Sequence, residues 1–136
     1  MKILFTLLTV WIISIASVKS QSFTITDVQV STTGAVDKPG YEQTVIDRNI
    51  GKLITLTIYD RIASVRIDRE IPVNLYLAKD GTYSTSVPMD KANTKIYYLQ
   101  INKLAAYMRS IVLTRTIKEN DSPYRTLTVK FIAARD

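Results

Sequence analysis

Four stretches of this sequence alternate apolar and polar residues with a period of two. Ile54, Leu56 and Ile58 alternate with Thr55, Thr57 and Tyr59, and Ala63, Val65 and Ile67 with Ser64, Arg66 and Asp68. Ile71, Val73, Leu75 and Leu77 alternate with Pro72, Asn74 and Tyr76, and Leu127, Val129 and Phe131 with Thr126, Thr128 and Lys130. Successive side chains of a strand point to opposite faces, so these runs describe strands with one packed face and one face that is wet or lines a cavity. Such a pattern belongs to antiparallel sheets, because parallel strands covered on both sides are apolar throughout.

Turn signals separate the runs. Asp80-Gly81 is a strong hairpin turn, since both residues tolerate positive φ. Asp60-Arg61, Asp68-Arg69-Glu70, the polar stretch 88–93 and Asn120-Asp121-Ser122-Pro123 are further breaks. The pattern predicts strands near 22–30, 52–59, 62–68, 71–78, 82–87, 95–101, 110–118 and 124–133, with a weak extra strand at 42–47. Residues 31–51 hold three glycines and one proline with little periodicity, which predicts a long functional or mobile connection. Ile101, Leu104, Ala105 and Met108 fall at helical spacing. They predict a short helix over 102–109 capped by Asn102, either as a simple link or as a hinged lid. The expected fold is an all-β antiparallel meander of about eight strands, closed as a small up-and-down barrel or half-barrel. A two-sheet β-sandwich is the alternative.

The N-terminus reads as a secretory signal over residues 1–20. Lys2 precedes the apolar run Ile3 to Val18, and Val18-Lys19-Ser20 offers a cleavage site ahead of Gln21; cleavage after Ser17 is the lesser alternative. The run is short of the roughly 20 residues that span a bilayer, so no stable membrane span is expected after cleavage. Residues 21–136 then form one β-domain, secreted or periplasmic. Lys2 and Lys19 leave with the signal, lowering the net charge from +6 to +4. The remaining positive charge is scattered, whereas nucleic-acid binding needs a basic stripe, so no nucleic-acid partner is expected.

Absences narrow the chemistry. The chain has no Cys and no His, which removes disulfides, thiol nucleophiles, the Ser-His-Asp triad and any plausible zinc set. The glycines at 34, 40, 51 and 81 lie too far apart for a phosphate-binding loop. Asp37, Glu42 and Asp47 match no calcium loop and read as solvated charge, so neither a metal nor a cofactor is expected. A pair of facing carboxylates would be needed for a hydrolase, but most of the acids fall at turns, where Asp serves the backbone. The domain is therefore read as no enzyme.

The more informative feature is the polar face of the strands, rich in Thr and Tyr. Its candidate ligand-binding residues are Tyr59, Arg66, Asn74, Tyr76, Tyr98 and Gln100. Aromatic walls with a few polar groups suit a small polar or amphipathic ligand, and this arrangement predicts a pocket touching Tyr76 and Tyr98. The plainer interpretation is a wet outer face, where Thr and Tyr are ordinary strand residues. Tyr59 with Arg61, Tyr107 with Arg109 and Tyr124 with Arg125 add Tyr–Arg neighbours near strand ends that suit a protein partner. The expected architecture resembles that of the calycins. The Gly-x-Trp start usual in lipocalins is missing, so the likeness extends to architecture and not to function. Binding of a small molecule is the leading expectation, a surface or assembly module that binds protein is the alternative, and a carboxylate-pair hydrolase is the third and least favoured reading.

Overall fold

A computed structural model describes residues 20–33, 41–105, 107–120 and 126–135. The expected signal segment lies outside these residues except for Ser20, which opens the first strand. The elements in order are β1 (Ser20–Thr33), helix α1 (Tyr41–Asn49), β2 (Leu53–Tyr59), β3 (Ile62–Ile67), β4 (Val73–Leu77), β5 (Tyr83–Pro88), β6 (Asn93–Leu104), β7 (Tyr107–Glu119) and β8 (Thr126–Arg135). The eight strands pair antiparallel in sequence order, and β8 returns to β1, closing the barrel. Closure decides for the meander barrel over the sandwich. It also gives every strand two neighbours and so removes the exposed edges of an open sheet.

The alternation read from the sequence fixes which face looks inward. Ile54 and Leu56 on β2, Ala63, Val65 and Ile67 on β3, and Leu75 on β4 are buried, while their polar neighbours are not. Phe23, Ile54, Leu75, Leu99, Ile111, Leu113 and Phe131 are completely enclosed. Full burial of a side chain of this size stabilises the fold by about 1.5–3 kcal/mol. In β1 the inward residues are Phe23, Ile25 and Val28, a spacing that breaks period two. The ladder accommodates it with a bulge: Ile25 pairs with Ala133 and Asp27 with Ile132, leaving Thr26 as the extra residue. The bulge brings both Ile25 and Val28 to the interior.

Two expectations are overturned. Residues 102–109 form no helix; they are the tip of a long hairpin in which Asn102 pairs with Ser110 and Leu104 with Tyr107. Ala105 turns the chain with φ +56°, and a register shift beside Lys103 leaves Arg109 as the extra residue of β7. Cross-strand pairing thus outweighs the local helical spacing, as tertiary context does for segments too short to hold a helix alone. Conversely, the weak strand expected at 42–47 is part of α1. Val45 and Ile46 of α1 pack against the core, and the Asn49 amide donates to the Val45 carbonyl at 2.7 Å. Gly51, at φ +88°, then redirects the chain, and its N–H bonds the Ile25 carbonyl at 2.9 Å. This contact ties the helix end to β1.

Candidate functional site: a cleft between β4 and β5

The barrel wall is thinnest between β4 and β5. These strands share two register pairs, Tyr76–Ser84 and Leu77–Tyr83, whereas β5 and β6 share six and β3 and β4 share four. The tight turn at Asp80-Gly81 holds one end of the hairpin together. Asp80 accepts hydrogen bonds from the Thr82 hydroxyl at 2.6 Å and the Thr82 N–H at 3.0 Å. Towards the other end β4 follows β3 and β5 follows β6. Residues 73–75 and 85–88 therefore have no register partner across the seam.

The gap opens into a cleft of about 650 Å³, inside the roughly 300–1,000 Å³ range of small-molecule sites. Its walls combine two kinds of surface. Val73, Thr85, Val87, Lys95 and Tyr97 occupy inward register positions, while Asn74 and Tyr76 belong to the outer face and form its rim. The β3–β4 turn supplies Glu70, Ile71 and Pro72. Apolar side chains thus dominate the lining. Ile71 is 86% exposed and Tyr76 55% exposed, an apolar lip left in water.

An ion pair braces this region. Arg115 lies on the inward face of β7, paired in register with Tyr97 and Val129. Its guanidinium stands 5.4 Å from the centre of the Phe131 ring and reaches Glu70 of the β3–β4 turn at 3.1 Å. The β3–β4 turn is thereby tied to the barrel interior from the far wall. Glu70 is the one carboxylate in the cleft lining, and Arg115 occupies it. Lys95 also faces inward, between Val87 and Ile117 in register. It is half-buried and makes no ion pair or hydrogen bond among the described residues.

The six residues singled out from the sequence do not converge. Tyr59, Arg66, Asn74, Tyr76, Tyr98 and Gln100 all lie on the outward register of the barrel. Asn74 and Tyr76 reach the cleft rim. Arg66 lines a separate, polar depression of about 240 Å³ with Ser20, Thr55, Thr57, Ser64 and Pro72. Tyr98 sits between Ser84 and Thr114, Gln100 beside Val112, and Tyr59 beside Ile62, none of them lining the cleft. The inward residues Lys95, Tyr97 and Arg115 escaped the sequence reading. Lys95 and Arg115 are charged residues at positions whose strand neighbours on the same face, Leu99 and Leu113, are core. That clash with alternation is the signal that marks them.

Among the described residues, no group of three or more His, Cys, Asp or Glu side chains is placed to hold a metal ion. The carboxylates held below their ordinary range belong to turns. The Thr82 hydroxyl and N–H lower Asp80, and the N–H groups of Ala92 and Asn93, at 2.7 and 2.8 Å, lower Asp90. Tyr107 does find a cation, but it is Arg135 of β8, 4.5 Å from its ring centre, and not its sequence neighbour Arg109. No helix among the described residues is long and apolar enough to cross a membrane, which does not bear on crossing by strands. Compared with protein-family models, with curated proteins and with solved structures, the chain matches none.

Proposed function

We propose that this domain is an exported, non-enzymatic binding protein that holds a small amphipathic ligand in the cleft between β4 and β5. The observation that carries this reading is the seam itself. Among the described residues the barrel wall opens at this seam, and the opening has apolar walls with isolated polar groups, the combination that small-molecule sites use. The orientation of the barrel supports an aqueous setting. The buried residues of its interior are apolar and most of its outward positions carry Thr, Ser, Asn, Gln, Lys, Arg or Tyr, the reverse of a barrel whose outside faces lipid.

The test is native mass spectrometry of the protein taken from its host's exported fraction. The expected result is a chain beginning at Gln21 with a small additional mass that is lost on denaturation. That mass is expected to be reduced in a Val73→Trp variant, whose indole intrudes on the apolar wall of the cleft. A bare wild-type chain under the same conditions overturns the proposal. A second reading draws on the same seam. The stretches 73–75 and 85–88, left without partners across it, offer strand edges to an extended peptide. A protein-interaction module of this kind predicts co-purification with a polypeptide or a multimer in place of the small mass.

A further inference from the structure

We infer that the ligand of the cleft is a single-headed amphipathic acid whose carboxylate bonds Lys95 Nζ and the Tyr97 hydroxyl. This inference rests on the cleft being a ligand site and adds the ligand's class. Lys95 is placed by register, between Val87 and Ile117 on the inward face. The Lys95 stem is half-buried among apolar side chains of the cleft, while its ammonium is not among the buried unpaired atoms; it is open to the cleft's water and gains from an anion that pairs with it. None of the described residues does so. Two other cations at inward register positions have partners, Arg115 in Glu70 and the Phe131 ring, Arg135 in the Tyr107 ring; Lys103 lies at the exposed β6–β7 tip, away from the cleft. Glu70 is thus engaged, and Glu119, on the same face of β7 beyond Ile117, forms no ion pair among the described residues.

Tyr97 supplies a second donor. Two residues from Lys95 on the same face, it is 6% exposed, lines the cleft, and has no hydrogen bond among the described residues. Ammonium and phenol, two residues apart on one face of β6, are the two donors that the inference assigns to one oxyanion head. The ligand's body is specified by what surrounds them: Val73, Val87 and the water-exposed Ile71 present apolar surface that a hydrocarbon chain would cover.

The experiment titrates the protein calorimetrically with dodecanoate and with dodecan-1-ol, below their aggregation limits, for the wild type and for Lys95→Met, Tyr97→Phe and Glu119→Gln. Far-UV circular dichroism verifies that each variant is folded. Dodecanoate is expected to bind once per chain and at least about tenfold tighter than the alcohol, the difference one charge-assisted hydrogen bond makes. Lys95→Met is expected to abolish that preference while leaving the alcohol's affinity within about twofold, and Tyr97→Phe to reduce it in part. Glu119→Gln is expected to leave the preference in place. Equal binding of acid and alcohol, or an undiminished preference in Lys95→Met, overturns the carboxylate assignment and leaves the cleft reading intact. Binding of neither compound by the folded wild type overturns both.

Discussion

The Arg115–Glu70 pair offers the sharpest test of how the cleft is held. The two charge centres, about 4 Å apart, attract by about 1 kcal/mol under full water screening and by about 4 kcal/mol at the effective dielectric near a protein surface. The pair sits between these limits, since the Arg115 side chain is 17% exposed and that of Glu70 53% exposed. Ordering two long side chains and partly desolvating the carboxylate offset most of the gain, so the net coupling is about 1 kcal/mol. A double-mutant cycle isolates it. Glu70→Gln keeps the shape and a neutral hydrogen bond, and Arg115→Met keeps an unbranched stem against Phe131. The loss of the guanidinium–ring contact in Arg115→Met then cancels across the cycle. Urea unfolding followed by far-UV circular dichroism is expected to give a coupling of about 1 kcal/mol at low ionic strength. In 0.5 M salt, where the screening length is about 4 Å, it is expected to fall by about half. Glu70→Gln is also expected to speed amide hydrogen exchange at Ile71, because the turn loses its tether. A coupling indistinguishable from zero at low salt would refute the brace and, with it, the account of why the cleft's lip holds its position.

Two further outcomes concern the turns. Hydrogen bonds to the ionised forms of Asp80 and Asp90 hold both below the ordinary value of 3.8. The stability they contribute is present above that value and lost as pH falls through the lower folded-state value. Urea midpoints between about pH 5 and pH 2 should therefore fall less steeply in Asp80→Ala and Asp90→Ala than in the wild type, and identical slopes would contradict these contacts. Ala105 turns the β6–β7 hairpin at φ +56° and Gly81 the β4–β5 hairpin at φ +87°. Ala105→Gly should raise the melting temperature by a few degrees, by removing about 1 kcal/mol of left-handed strain at a smaller entropic cost. Gly81→Ala should lower it although nothing crowds the new methyl group. The opposite signs would refute the conformational argument.

Much of the barrel is written in short-range pattern. The alternation at 54–59, 62–67 and 126–131 marks strands and also which residues turn inward, because side chains on a strand have only two directions to take. Even the β1 bulge leaves a trace, in the three-residue step from Ile25 to Val28. Absences in composition work the same way: a chain without His or Cys carries its chemical exclusions into any fold. At 102–109 and 41–49 the local pattern points to the wrong element, a helix where a hairpin tip stands and a strand where a helix stands, because both segments are short and their local preferences yield to what packs against them. The closure of β8 on β1 joins residues about a hundred positions apart, as in the pairing of Phe23 with Arg135, and no local pattern encodes it. The cleft also belongs to the tertiary structure. It exists because β4 and β5 share two register pairs and then follow different neighbours, and because Arg115 reaches Glu70 from the opposite wall. Period two shows that Lys95 and Tyr97 face inward, but only the opened seam decides that inward there means towards a cavity and not into a filled core.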